Sequence, residues 1–426
     1  MLDIKLIRDN PEKIKREIAK KKTDVDIDNL IKLDETRRSS IAESETLRAR
    51  RNDVSKQIGD FKKANKPCDA AMEQMRVIGD RIKELDEQIR HLTEKIDGLL
   101  VWIPNIPHES SPVGDNATAN RFVREWGTKP SFDFPPKGHI ELGENLGILD
   151  LHRAARLSGA GFTLLKGTGA RLERALINFM LDIHTREHGY TEIAPPFVVS
   201  TACMFGTGQL PKMEEDMYRV DGDDLFLIPT AEVPVTNMHR GEMLEEAELP
   251  RYYAAYTPCF RREAGSYGKE TRGMIRVHQF DKVELVKLVP AGTAYDELES
   301  LLKHAEAILQ KLKLPYRVLE LCTGDLSFAA AKCYDIEAWA PGQNAWLEVS
   351  SCSTFEDFQA RRMNMRYRDK ATQKPQFVHT LNGSGVALAR TVVAILENYQ
   401  TARGTVIVPD VLRPYMGGAE EIYAEQ

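Results

Sequence analysis

Arg261, Glu263, Phe280 and Glu284 stand in a stretch, Cys259 to Val286, where charges interrupt otherwise strand-like sequence. A guanidinium, a carboxylate and an aromatic ring on adjacent strands can neutralise a phosphate, bond to an exocyclic amine and stack on a purine. Those are the parts of a nucleoside triphosphate. The period of two puts Arg261 and Glu263 on one face of a first strand, and Phe280, Lys282 and Glu284 on one face of a second. Between them Gly265, Gly268 and Gly273 break regular structure and leave Lys269 and Arg272 on a flexible basic loop, suited to admitting and clamping phosphates. Taken alone, Arg261-Arg262-Glu263 reads as a salt-bridged surface hairpin, so its surroundings must decide.

Three further groups bear on that decision. Leu225-Phe-Leu-Ile-Pro-Thr-Ala-Glu232 sets a hydroxyl and a carboxylate, Thr230 and Glu232, straight after an apolar strand, where a helix cap is the common alternative. Trp346-Leu-Glu-Val-Ser-Ser-Cys352 carries Glu348 and Ser351, which face one way at a spacing of three only if the strand is bulged or bent. Their oxygens suit magnesium, which bridges phosphates. Leu381-Asn-Gly-Ser-Gly-Val-Ala-Leu-Ala-Arg390 brings glycines into a helix whose first turns carry Arg390, allowing backbone near a ligand and a guanidinium near a phosphate. Two apparent phosphate loops fail: no Gly-Lys-Ser/Thr follows Gly167-x-Gly169, and in Gly268-Lys269-Glu270 a carboxylate replaces the hydroxyl that holds magnesium. His139 and His152, near Glu141 and Glu144, have no compact metal spacing, and a helical surface explains them better.

The elements that must hold these residues begin with helices. Asp9-Asn10-Pro11 caps a helix running to about Lys22. A long polar helix follows from about Ile27 to Ala64, then a turn at 65–69 and a second helix to about Leu100. In the second leg Met75, Ile78, Ile82, Leu85, Ile89, Leu92, Ile96 and Leu99 form a coiled-coil seam. The first leg answers with Leu30, Leu33, Leu47, Val54, Ile58 and Phe61, but puts Arg37, Ser40, Ser44 and Arg51 at the remaining seam positions. Legs of about 50 Å exceed what a hairpin needs, so an arm is expected to project from the body. Arg48, Arg50, Arg51, Lys56, Lys62, Lys63 and Lys66 gather on its outer half and tip. A solvated face and a surface following a phosphate backbone both remain open there. Prolines 104 and 107 end the arm, Glu109 to Asn120 reads as a polar linker, and the expected domains are 1–105 and 106–426. Further on, 161–166 reads as a short strand, and 170–188 as an amphipathic helix through Leu172, Leu176, Phe179, Met180 and Ile183, stopped at Gly189. A strand then carries Tyr190 and Ile193 to Pro195-Pro196.

Composition bounds the rest. The chain has 426 residues, too many for one ordinary domain, and a formal charge of −6, no sign of a whole-surface nucleic-acid binder. Its 6 cysteines show no Cys-x-x-Cys pair or zinc spacing, which fits reduced thiols. No apolar run approaches the roughly 18 residues of a membrane span. The charged start lacks the apolar core of a signal peptide. The chain reads as soluble and cytoplasmic.

Phe260-Arg261-x-Glu263, a loop, then Val277, Phe280 and Glu284 resemble motif 2 of the class II aminoacyl-tRNA synthetases, in its seryl-tRNA synthetase form. The long helix with Gly189-Tyr190-x-x-Ile193-x-x-Pro196 resembles motif 1, a dimer element, and Gly383-Ser-Gly385 leading to Arg390 resembles motif 3. Asp325 to Trp339 resembles a strand region shared by the seryl, threonyl and prolyl branch. The chain is identified as a member of the bacterial-type seryl-tRNA synthetases, from the arm to Pro414. The resemblance implies an α+β fold: an N-terminal antiparallel α-helical coiled-coil arm, and a class II catalytic domain built on an antiparallel β-sheet flanked by helices.

What else the resemblance implies is specific. L-serine is attached to tRNA(Ser) through seryl-adenylate, with ATP going to AMP and pyrophosphate; bacterial members also serylate tRNA(Sec), and they are homodimers. Arg261 holds the α-phosphate and the serine carboxylate, with Arg262 beside it. Glu263 and the Val277 backbone read adenine, Phe280 stacks on it, and Arg390 meets the γ-phosphate. Glu348, Val349, Ser350 and Ser351 belong to the ATP site, Glu348 and Ser351 holding Mg2+. Thr230, Ala231 and Glu232 take serine's ammonium; Glu284, Asn382 and Ser384 take its hydroxyl. Arg261, Glu348 and Arg390 are the expected catalytic residues, no zinc is expected, and the basic arm grips tRNA. Carrier-protein ligases with the same body lack the long arm, and a non-catalytic relative would lose the motifs.

Overall fold

A computed structural model, which describes residues 1–264 and 273–424, divides the chain into two units, Met1–Pro104 and Asn105–Gln426. The first is all helical: Ile4–Asp9, Pro11–Ala19, Ile27–Lys63 and Asp69–Leu100. The opening segment is therefore itself a helix, capped by the Asp3 side chain on the amide of Lys5. Pro11 does occupy the first turn of the next helix, but Asn10 makes no side-chain cap, and that helix ends at Ala19, short of Lys22.

Ile78, Ile82, Leu85, Leu92 and Ile96 are buried along the hairpin, as a seam requires. Facing them, the first long helix buries Leu30 and Val54 but places Ser40 and Ser44 between. Polar bonds take over there. Arg48 grips both oxygens of Asp86 across the hairpin, at 2.8 and 2.7 Å. Nearer the N-terminus Asp34 is buried and reached by Arg37 at 2.7 Å and Arg8 at 3.0 Å. Burial alone would raise the Asp34 pKa; the bonds from Arg37 and Arg8 outweigh it and hold the carboxyl below its ordinary value.

The second unit is built on eight strands: β1 (Arg121–Trp126), β2 (Thr191–Glu192), β3 (Arg251–Phe260), β4 (Gln279–Val289), β5 (Tyr316–Glu320), β6 (Lys332–Ala340), β7 (Ala345–Glu356) and β8 (His379–Ala387). Their spatial order is β1-β5-β6-β7-β8-β4-β3-β2. Every pairing is antiparallel except that of β2 with β3. Helices Thr168–Arg186, Ala294–Lys311 and Leu388–Asn398 bury Leu176, Leu301 and Val393 in one core with Val283, Leu285 and Val289 of β4. Because side chains alternate, Phe280, Lys282 and Glu284 must then point to the opposite face.

Several sequence expectations change. Residues 161–166 form no strand: they pair with 148–150 through an isolated bridge, Leu165 to Leu149, and Gly161 accepts from the His278 amide at 2.8 Å. The strand after the long helix shortens to Thr191–Glu192, since only there does it pair with Tyr253 and Ala254. The polar segment 109–120 is no free linker: Asn120 accepts from the Cys322 amide at 2.9 Å and donates to Asp325 at 2.8 Å. No helix among the described residues is long and apolar enough to cross a membrane.

Candidate active site

The face of the sheet opposite those three helices carries a cavity of about 390 Å³, within the range that holds a small ligand. Lys282 forms its floor, with Nζ 2.6 Å from Glu284 and 2.8 Å from the Thr230 hydroxyl. Asn382 on β8 donates to the other oxygen of Glu284 at 2.9 Å, and the Ser384 hydroxyl lies 3.4 Å from the carboxylate. β8 pairs with β4 so that Ser384 stands opposite Glu284, which makes this cluster a consequence of register.

Glu232, at the start of helix Glu232–Asn237, completes the floor and is only 5% exposed. Burial, and next the Glu284 carboxylate, push its pKa up to about 7; a hydrogen bond from Gln359, at 2.7 Å, pulls the other way. Its amide donates to the Thr230 hydroxyl at 3.2 Å.

Strand β3 ends at Phe260, whose amide turns to the carbonyl of Ile228. Arg261 and Glu263 are therefore not a strand pair, contrary to the period-two expectation, and Glu263 sits at φ 49°. Both still line the cavity. The Arg261 guanidinium lies 5.3 Å from the centre of the Phe280 ring and donates to the carbonyl of Pro229. Glu263 accepts from Arg276 at 3.1 Å. Arg390 donates to the carbonyls of Ile275 and Glu348, each at 2.9 Å, and its guanidinium stands 3.5 Å from the Glu348 carboxylate. Val277 lines the same wall.

The bulge expected in β7 is present. Its register with β6 shifts between Glu348 and Ser350, and both Glu348 and Ser351 line the cavity. Carboxylate and hydroxyl oxygens fit a hard cation. No three His, Cys, Asp or Glu side chains cluster as a metal set among the described residues. Opposite Ser351 stands Asp335, whose pKa is driven well above its ordinary value by burial and then by Glu348. Val349 and Ser350 are buried in the wall, the Ser350 hydroxyl donating to the Ser384 carbonyl at 2.6 Å.

Not every expected residue arrives. Arg262 lines a neighbouring cavity with Arg219 and His278 rather than this one, and Ala231 is buried behind the wall. Gly265, Gly268, Lys269, Glu270 and Arg272 lie outside the described residues. His139 is not on a helical surface. It is 1% exposed, 3.1 Å from Glu397, and accepts from the Met274 amide at 3.2 Å, which anchors the chain returning to β4. Nothing local to Ile-Glu-Leu-Gly marks it for that role, since both partners are distant in sequence. The Lys282 pair was the more legible omission, because Lys282 already shared a face with Phe280 and Glu284.

On the arm, Lys56, Lys62, Lys63 and Lys66 are exposed and Arg51 is half-buried, with no ion-pair partner for any of them among the described residues. Arg50 reaches the Gln74 amide at 2.7 Å, and Arg48 is balanced by Asp86.

Comparison with known proteins agrees with this geometry. The model of the tRNA synthetase class II core domain (G, H, P, S and T) matches residues 214–399, so the second unit carries a class II synthetase core. The seryl-tRNA synthetase N-terminal domain matches residues 1–107. The serine--tRNA ligases of Geobacter sulfurreducens and Geobacillus kaustophilus are 56% and 57% identical, each over 99% of this chain and 100% of its own length. The crystal structure of seryl-tRNA synthetase from Pyrococcus horikoshii complexed with ATP is 40% identical with a TM-score of 0.94, covering 100% of both chains. The chain belongs to the seryl-tRNA synthetase family.

Gly273 offers a direct check of how the cavity wall is held. It sits at φ +72°, and a Cβ there would meet His139 Nε2 at 2.3 Å and Ile140 at 2.7 Å. Gly273→Ala is expected to lower stability by about 1–3 kcal/mol and to raise amide exchange at Met274–Val277. Unchanged melting and exchange would show that His139 does not anchor this wall.

Proposed function

We propose that this chain attaches L-serine to tRNA(Ser) in two steps, in the cytoplasm and as a homodimer. Serine's carboxylate attacks the α-phosphate of ATP, forming seryl-adenylate and releasing pyrophosphate. The seryl group then passes to the terminal ribose hydroxyl of the tRNA. The observation that carries this reading is the union, in one cavity, of a buried two-carboxylate floor with an arginine-lined rim beside an aromatic ring.

The roles follow from chemistry and family resemblance together. Arg261, between Phe280 and the floor, is suited to hold the α-phosphate and the serine carboxylate while Phe280 stacks on adenine. Glu263 and the Val277 backbone read the adenine edge, and Arg390 meets the γ-phosphate. Thr230 and Glu232 take the ammonium; Glu284, held by Asn382, Ser384 and Lys282, takes the hydroxyl. Glu348 and Ser351 would hold Mg2+, which supplies charge neutralisation of the phosphates when bound. No side chain needs to move a proton in the first step, so catalysis is positioning and charge compensation. The cavity meets only serine, ATP and the end of the tRNA, so it does not oppose serylation of tRNA(Sec).

Two surface features support the assembly. β2 is the edge strand of the sheet, and Phe197 and Val198 beyond it are 43% and 39% exposed, suited to cover by a second copy. The unpaired lysines of the arm suit the backbone of the tRNA, so we assign tRNA binding to residues 1–105 and catalysis to 106–426.

Arg390→Ala and Glu348→Ala are each expected to fold normally and to depress serine-dependent ATP–pyrophosphate exchange by several powers of ten, whereas near-normal exchange in either would overturn the phosphate and metal assignments. A full-length variant with Arg50, Arg51, Lys62 and Lys63 neutralised is expected to keep that exchange but to transfer serine to tRNA poorly. Its log–log salt slope of tRNA binding should flatten by about 0.7–0.9 for each tRNA phosphate that the arm no longer neutralises. An unchanged slope with full charging would remove the arm from tRNA recognition.

A further inference from the structure

Behind the cavity floor lies a hydrogen-bonded chain that no expectation from the sequence reached. Gln359, on helix Phe358–Met363, is fully buried at 0% exposure. Its Nε2 donates to Glu232 at 2.7 Å and to the carbonyl of Thr207 at 3.0 Å. Its oxygen accepts from the hydroxyl of Thr380 on β8 at 2.6 Å, and Thr380 is also at 0% exposure. Both donors and the acceptor of the amide are thereby used. Rotating it by half a turn would set its oxygen against the oxygens of Glu232 and Thr207 and its NH2 against the Thr380 hydroxyl. That costs at least two buried hydrogen bonds, so the amide has a single orientation.

We propose that Gln359, locked by Thr380, is a positioning residue for amino-acid selection: it fixes the Glu232 carboxylate, ionised and correctly turned, to receive the substrate's ammonium group. This rests on the reading of Glu232 as the ammonium ligand. The amide can donate to Glu232 but, with its oxygen engaged by Thr380, cannot accept from it. It therefore stabilises the carboxylate over the protonated acid, in a place where burial and Glu284 favour the acid. The other charges facing Glu232 are Lys282 and Arg261, which both favour the carboxylate. Arg362, on the same helix as Gln359, is turned away to the carbonyls of Phe205 and Leu210. Gln359 does not line the cavity; of the two lining residues that its amide touches, Thr207 offers only a backbone carbonyl, so the side chain it can position is Glu232.

The sign of the pH effect follows. Serine's ammonium pairs with Glu232 only when that carboxyl is ionised, so apparent affinity falls as pH drops through its pKa. Removing the Gln359 donor raises that pKa and moves the acid limb of 1/KM for serine to higher pH.

The experiment measures KM for serine and for ATP from pH 5.5 to about 8.5, by pyrophosphate exchange with the full chain, in Gln359→Met, Thr380→Val and Glu232→Gln. Gln359→Met is expected to raise KM for serine by about 10- to 100-fold near neutral pH, as for a lost bond to a charged group. KM for ATP should stay within about twofold, and the acid limb should shift upward. Thr380→Val, which preserves shape, should show the same limb shift more weakly, and it decides the matter if Gln359→Met fails to fold. An unmoved limb in whichever of the two folds, with Glu232→Gln still impairing serine binding, overturns the proposal alone. If Glu232→Gln leaves KM for serine unchanged, the ammonium assignment falls, and this proposal with it.

Discussion

The cavity floor keeps an ammonium and two carboxylates almost out of water: Lys282 and Glu232 are 5% exposed and Glu284 1%. An unpaired charge at such a depth costs several kcal/mol, so the surrounding structure is constrained to pair each one. Lys282 lies between Glu284 and Thr230; Glu284 takes Asn382 and Ser384 as well; Glu232 takes Gln359. These partners come from β4, β8, the turn after strand Leu225–Leu227 and helix Phe358–Met363. The polar floor thus fixes how these four segments meet. Packing on the other face of β4 is mostly apolar, against three helices, apart from the buried Lys287, which pairs with Glu297 at 2.7 Å.

The same constraint serves function. Dipoles and charges that already satisfy one another are oriented before a ligand arrives, so little reorganisation is left for the reaction. The wall proposed above to take the nucleotide is built on a second principle. There Arg390 bonds backbone carbonyls of Ile275 and Glu348, tying the segment entering β4 to the bulge of β7. Arg261 belongs to both halves, standing beside Phe280 on one side and Pro229 and the floor on the other. In the reaction proposed above, the carboxylate would meet the α-phosphate at that junction.

Much of this was legible from spacing. Strand alternation put Phe280, Lys282 and Glu284 on one face, and the spacing of Glu348 and Ser351 demanded the bulge that β7 has. The long helices were legible because a seam repeats for many turns. What failed did so for identifiable reasons. Arg261 and Glu263 looked like strand residues because hydrophobic alternation runs up to them, yet the ladder ends with Phe260 opposite Gln279 and a last bond from the Arg261 amide to His278, and the chain has turned by Glu263 at φ 49°. His139 looked like a surface residue because its partners, Met274 and Glu397, are 135 and 258 positions away. Gln359 and Thr380 carry no local mark, since the fold alone brings Gln359 against Glu232 and Thr380 against Gln359.

The central claim is that this floor selects an amino acid bearing both an ammonium and a small hydroxyl. ATP–pyrophosphate exchange with the unaltered protein, run separately with each amino acid, tests it most directly. The account predicts exchange with serine, a loss of about 10⁴- to 10⁵-fold with alanine because Glu284 and its neighbours would be left without the hydroxyl they are arranged to meet, and little with threonine. Exchange with alanine comparable to that with serine, or exchange that peaks with another amino acid, would contradict it.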